Sequence, residues 1–186
     1  MRKILPAQTI DMGGFPVKQA LPTQNVPNVD PYLLLHHAKT EPLFDRSARI
    51  QGIGPHPHRG FSPVTFVIEG EVHHRDSRGN SQVAIAGEVQ WMHAGAGIIH
   101  SERPSQNSVE KRMDQEIVQL WINSPAEAKM KQPEYIHLNE SDFPGVIMED
   151  GFSDIKLVSG NYKGVKGKIK AQSDVLIMWG VSKEGA

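Results

Sequence analysis

Two short pairs of residues in this sequence have the types and spacing to hold an ion. His56 and His58 stand in Pro55-His56-Pro57-His58-Arg59-Gly60, and His100 and Glu102 stand in Ile99-His100-Ser101-Glu102. In extended chain, side chains two residues apart point to the same face, so each pair can aim two donors at one point. If the two segments lie on neighbouring strands, three imidazoles and one carboxylate surround a single ion. Neutral imidazole nitrogen and carboxylate oxygen suit iron, manganese, nickel, copper and zinc. The chain has no cysteine, which removes thiol nucleophiles, disulfides and the thiolate sites typical of structural zinc. Four protein ligands on an ion that prefers six would leave two positions for water or substrate. Spacing alone leaves open the plainer alternative of histidines in polar turns.

The remaining histidines carry less. His36-His37 and His73-His74 are adjacent pairs, and neighbours in a strand face opposite sides, so both doublets are expected in solvated or packing roles. His93 lies in Trp91-Met92-His93-Ala94-Gly95, where it is placed for a hydrogen bond behind an ion site. His137 has no partner near it in sequence.

The elements that must position these residues read as short strands. Val64, Phe66 and Ile68 alternate with Thr65, Val67 and Glu69, the period of two that strands require. Asp76-Ser77-Arg78-Gly79-Asn80 is a turn cluster, so residues 64–75 and 81–86 are expected to form a hairpin. Val89 and Trp91 followed by Gly95-Ala96-Gly97 continue the alternation, and residues 117–122 form another strand. Before them, Pro6, Pro16, Pro22, Pro27 and Pro31, with a Gly13-Gly14 bend, make the first 35 residues extended and turn-rich. Ser124 to Met130 is the one helical expectation, with Ser124 as cap, Pro125 in the first helical position and Glu127 in capping-box spacing. Residues 155–158 and 175–179 read as two further strands. Many short strands separated by turns predict an all-β sandwich or barrel.

Composition narrows the functions. In 186 residues, 20 Lys and Arg balance 21 acidic residues for a net charge of −1. That balance argues against direct nucleic-acid binding through a broad basic surface and against polybasic membrane attachment. No apolar run reaches the roughly 18 residues of a membrane span, and Met-Arg-Lys-Ile-Leu-Pro lacks the apolar core of a signal peptide. A cytoplasmic protein is expected. With 17 Gly and 13 Pro, the chain is punctuated for many short strands.

His56-Pro57-His58-Arg59-Gly60-Phe61 followed by Val64-Thr65-Phe66-Val67-Ile68-Glu69-Gly70 resembles the first metal motif of the pirin family in the cupin superfamily. The stretch Gln90-Trp91-Met92-His93-Ala94-Gly95-Ala96-Gly97-Ile98-Ile99-His100-Ser101-Glu102 resembles the second. Asp30 to Leu35, His74 to Asn80 and Gln119 to Pro125 match further landmarks in order, over residues 10–165. The resemblance implies a cupin-type β-barrel, a jelly roll with little helix, holding one divalent transition metal through His56, His58, His100 and Glu102. Fe(II) is the expected ion, with Ni, Mn, Cu or Zn as alternatives.

Three departures stand out. Ser62 replaces a Glu that many pirins carry four residues after the second histidine, and His93 replaces a Thr or Ser. Typical pirins also have a second cupin-like domain. Residues 1–165 are therefore expected to be the first domain, and 166–186 a remnant or first strand of the second. An unpaired apolar strand there would seek the first barrel or another chain, making a homo-oligomer plausible.

The resemblance implies two functions. One is a dioxygenase cleaving a flavonol such as quercetin with O2, Glu102 being both ligand and general base, and Phe66, Trp91 and Met92 being either cavity wall or core. The other is a non-catalytic metal-binding regulator of a protein partner, a transcription co-regulator or a modulator of a metabolic enzyme.

Overall fold

The structure is a computed structural model that describes residues 6–12, 15–148 and 152–184. The expected Gly13-Gly14 bend lies outside the described residues. The chain divides into two units, Met1–His137 and Leu138–Ala186.

The first unit is built from β1 (Gln8–Asp11), β2 (Pro16–Leu21), β3 (Tyr32–Thr40), β4 (Ile53–His58), β5 (Phe61–Glu69), β6 (Glu71–Asp76), β7 (Ser81–Ile85), β8 (Val89–His93), β9 (Ile98–Pro104), β10 (Gln115–Asn123) and β11 (Glu134–Leu138), which ends at the unit boundary. They form a seven-stranded sheet in the order β1-β2-β3-β10-β5-β8-β11 and a four-stranded sheet in the order β4-β9-β6-β7. The sheets share one interior. Val67 of β5, Val72 of β6, Ala84 of β7 and Ile117 of β10 pack together across it. Met92, Ala94 and Ile98 form a second cluster against Tyr135. Phe66, Trp91 and Met92 are all buried.

The expected hairpin exists, but its first arm is shorter than the sequence suggested. Gly70 has φ +75°, and a Cβ there would lie 2.1 Å from the Asp114 carbonyl oxygen. The chain can take this corner only without a side chain. It divides the apolar run, leaving β5 in one sheet and sending β6 to the other, where His74 pairs opposite Gln82 of β7. The Asp76 carboxylate shapes the turn by accepting from the backbone N–H groups of Arg78 at 2.9 Å and Asn80 at 3.1 Å.

The helix expected over 124–130 is only a 3-10 turn at Ala126–Ala128, with Pro125 as its N-cap and no side-chain cap bond. The turn is pinned from outside instead, because Lys129 Nζ donates to the Gly60 carbonyl at 2.9 Å and to Asn123 Oδ1 at 2.7 Å. Among the described residues the one α-helix is α1 (Gln106–Glu110), capped by Ser105, whose hydroxyl accepts from the Ser108 N–H.

The second unit contains β12 (Gly145–Ile147), β13 (Ser153–Ser159), β14 (Asn161–Tyr162), β15 (Val165–Lys166) and β16 (Ile177–Ser182). The terminal strand β16 pairs antiparallel with β13, Lys156 opposite Trp179. No helix among the described residues is long and apolar enough to cross a membrane.

Candidate metal centre

The two histidine motifs lie on neighbouring strands. β4 and β9 pair antiparallel with His56 opposite His100. Between that pair and Ile53 opposite Glu102 the register shifts: three steps along β4 match two along β9, which is a β-bulge at Gly54-Pro55. β4 is the edge strand of its sheet, the position where prolines without an N–H are tolerated. The Gly-Pro-His-Pro-His run therefore turns both imidazoles inward.

The ligand atoms of His56, His58 and His100 all lie within 4.8 Å of one another. His58 is 8% exposed and His100 2%. His56 Nδ1 donates to the Gly54 carbonyl at 2.8 Å. On β6, His74 Nε2 donates to the Asp76 carboxylate at 3.0 Å, and its Nδ1 lies 3.3 Å from His100 Nδ1. Nε2 of His56 and Nε2 of His100 lie 3.1 Å apart. When His56 and His100 both carry their proton on Nδ1, both Nε2 lone pairs face one point, which is the tautomer a cation site requires, with partners at Nδ1 that hold the imidazoles in place. Burial first, then the neighbouring His56, pushes His58 down to about 4 against a weaker opposing effect of Glu102. Burial likewise pushes His100 down to about 4. Both rings are therefore neutral near pH 7.

Glu102 shares the inward face of β9 but is not part of the three-imidazole cluster. Its carboxylate accepts from Thr65 Oγ1 and from Gln119 Nε2, each at 2.8 Å. Gln119 is oriented in turn by Trp121, whose Nε1–H donates to its carbonyl oxygen at 3.0 Å. Burial alone would raise the Glu102 carboxyl; the His100 ring when charged and the bonds from Thr65 and Gln119 outweigh that and hold it below its ordinary value. Phe61 and Trp121 stand edge-on to His58, with centroids 5.0 and 5.1 Å away.

The other histidines divide. His37 and His73 are surface residues in hydrogen bonds to Glu116 and Ser81, as their doublet spacing predicted. His74 is not bland: it is 2% exposed, stacks on Tyr135 at 4.2 Å and supports His100. The signal was present, since His74 and Asp76 are another i, i+2 pair. His36 is buried and bonds Gln19, and His137 pairs with Glu88 at 2.8 Å. His93 Nδ1 lies 3.3 Å from the Ser62 hydroxyl, so the two positions that depart from the common pirin motif touch each other.

The Pirin family profile matches residues 14–122. A Pseudomonas aeruginosa protein provisionally named a quercetin 2,3-dioxygenase is 37% identical over 169 residues, 90% of this chain and 58% of its own. Pirin-1 of Arabidopsis thaliana is 33% identical over 186 residues, 100% of this chain and 60% of its own. The solved structure of a quercetin 2,3-dioxygenase from Acinetobacter baumannii superposes with a TM-score of 0.82 at 34% identity, over 93% of this chain and 60% of that one. The chain spans about three-fifths of the length of these relatives. The matched segment contains the whole imidazole cluster, and the paired antiparallel sheets around it are a cupin-type jelly roll: the chain belongs to the pirin family.

Proposed function

We propose that this chain supplies the metal centre of a dioxygenase that opens an electron-rich enol such as a flavonol with O2, His56, His58, His100 and Glu102 being the ligands. The observation that carries the reading is the cluster of His56, His58 and His100, whose ligand nitrogens all lie within 4.8 Å of one another. The nitrogen and oxygen donor set fits a divalent transition ion, with Fe(II) the first choice. When bound, such an ion acts as a Lewis acid that lowers the pKa of a substrate hydroxyl.

The chain's own residues do the rest. Glu102 is the base that takes the enol proton, and Thr65 and Gln119 keep its carboxylate ionised and aimed. Phe61 and Trp121 form an aromatic wall beside His58, suited to a flat ring system. His74, anchored by Asp76, keeps the His100 ring from rotating. Both oxygen atoms of O2 enter the product, so no external reductant is required. The names of the Pseudomonas and Acinetobacter relatives support the same substrate class.

The test is aerobic turnover of quercetin by iron- or nickel-reconstituted protein, with bound metal quantified in the same sample. Turnover should scale with occupancy. His58→Ala should lose both metal and turnover while the circular dichroism of the fold persists. Turnover surviving in His58→Ala would place the chemistry elsewhere. Full occupancy without turnover would favour the reading as a metal-binding regulator of a protein partner.

A further inference from the structure

The strands that turn His100, Glu102 and His74 inward must turn their odd-numbered neighbours outward. On the outer face of the four-stranded sheet this places Ile99 and Arg103 of β9 beside Arg75 of β6, and a cavity of about 760 Å³ opens there, bordered also by Arg49, Ala48, Pro55 and His100. The volume falls within the range of small-molecule sites, roughly 300–1,000 Å³. Ala48, Pro55 and the half-exposed Ile99 give it an apolar floor.

Three guanidiniums gather around this cavity in a chain whose net charge is −1. Among the described residues, no carboxylate forms an ion pair with any of them. The acid that borders the cavity, Asp76, is already engaged by His74, Asn80 and the turn backbone. One of the arginines is held in place. Arg75 Nε donates to His73 Nε2 at 3.2 Å, and the same nitrogen bonds the Ser81 hydroxyl at 3.0 Å. Because Arg75 donates to it, His73 Nε2 is an acceptor, and burial, then the charge of Arg75, hold the His73 ring below its ordinary value. Among the described residues, neither terminal nitrogen of Arg75 forms an ion pair with an acid. Arg103 lies over Gly54, where a Cβ would come within 3.6 Å of its terminal nitrogen. Guanidiniums without an acid partner, one of them oriented by His73, over an apolar floor are the makings of an anion site.

We infer that this outer cavity binds a small organic anion, an aromatic or aliphatic carboxylate or phosphate ester, with its charged end between Arg75, Arg103 and Arg49 and its apolar body on Ile99 and Pro55. The arginines lie on the outer face of the strands whose inner face carries the imidazole cluster, and His100 of that cluster also borders the cavity. An occupant would therefore press on β6 and β9, the strands that carry His74 and His100.

The test uses 2-naphthoate as probe, its uncharged match 2-naphthalenemethanol, and inorganic phosphate, by titration calorimetry on the full chain. Saturable one-to-one binding of naphthoate is expected, weaker by about tenfold or more in Arg75→Gln/Arg103→Gln, as loss of charge-assisted bonds predicts. The uncharged match should bind at least about tenfold more weakly for the same reason. His58→Ala should leave naphthoate binding unchanged. Arg49→Gln, on an exposed turn, should weaken binding in the same direction and keeps the test decisive should the double variant fail to fold. Naphthoate binding that is lost in His58→Ala but kept in the arginine variants would assign the probe to the metal cavity and overturn the inference. So would equal affinity for inorganic phosphate, or no saturation by naphthoate.

Discussion

Lowering the pH should loosen the metal-free protein through its buried imidazoles, and the structure sets both sign and size. His58 and His100, 8% and 2% exposed, are each pushed from 6.5 to about 4 by burial and their charged neighbours. Between those two values the unfolded chain binds more protons than the folded one, so stability is full above pH 6.5 and falls as the pH drops toward 4. At pH 5 each ring then costs about 2 kcal/mol relative to pH 7. Part of each shift is mutual repulsion, so the pair together costs between about 2 and 4 kcal/mol. The assay is urea unfolding of chelator-treated protein at pH 7, 6 and 5. His36 and His93 are also held low by burial and add to the slope. The decisive quantity is therefore the difference from His58→Gln/His100→Gln, which should lose less stability on acidification by that amount. The carboxylates of Asp76 and Glu102 sit below their ordinary values, so their contribution is lost only at lower pH. Equal pH dependence in the natural and doubly substituted proteins would refute the assignment of neutral, buried rings.

Two further outcomes follow from single contacts. Gln119→Leu removes the donor to Glu102 and the acceptor for Trp121; metal affinity measured by chelator competition should fall by about 10- to 100-fold, and unchanged affinity would show that Glu102 needs no such support. Gly70→Ala places a methyl 2.1 Å from the Asp114 carbonyl at φ +75°; the urea midpoint should report a loss of about 3 kcal/mol or more, and a loss below about 1 kcal/mol would contradict the corner's role.

The imidazole cluster was legible because strand geometry is periodic. Two i, i+2 pairs require only that their strands lie side by side, and β4 and β9 do. The alternation in 64–69 likewise announced β5. What the sequence concealed was non-local. Nothing in Gly70 by itself says that Asp114 crowds it, so one apolar run read as one strand. Pro125 and Glu127 matched a helix start, yet the segment closes as a single turn because Lys129 is tied to Gly60 and Asn123. His74 was passed over because adjacency with His73 hid its pairing with Asp76. Glu102 was legible as an inward carboxylate, but its partners Thr65 and Gln119 come from the opposite sheet, a relation no local pattern carries.

The β4–β9 register has a consequence for how this protein can vary over evolutionary time. His56 and His58 on β4, and His100 and Glu102 on β9, are each two residues apart, because each strand offers its inward face at every second residue. What must be inherited is parity within each strand, and the length of the connections between strands is free. A single-residue insertion between Ile98 and His100 would turn the imidazole and Glu102 outward and bring Ile99 or Ser101 in their place. The same insertion in the 77–80 turn would leave every ligand where it is. Tolerated length changes in descendants of this sequence should therefore fall in turns, and any between His56 and His58 or between His100 and Glu102 should come in twos.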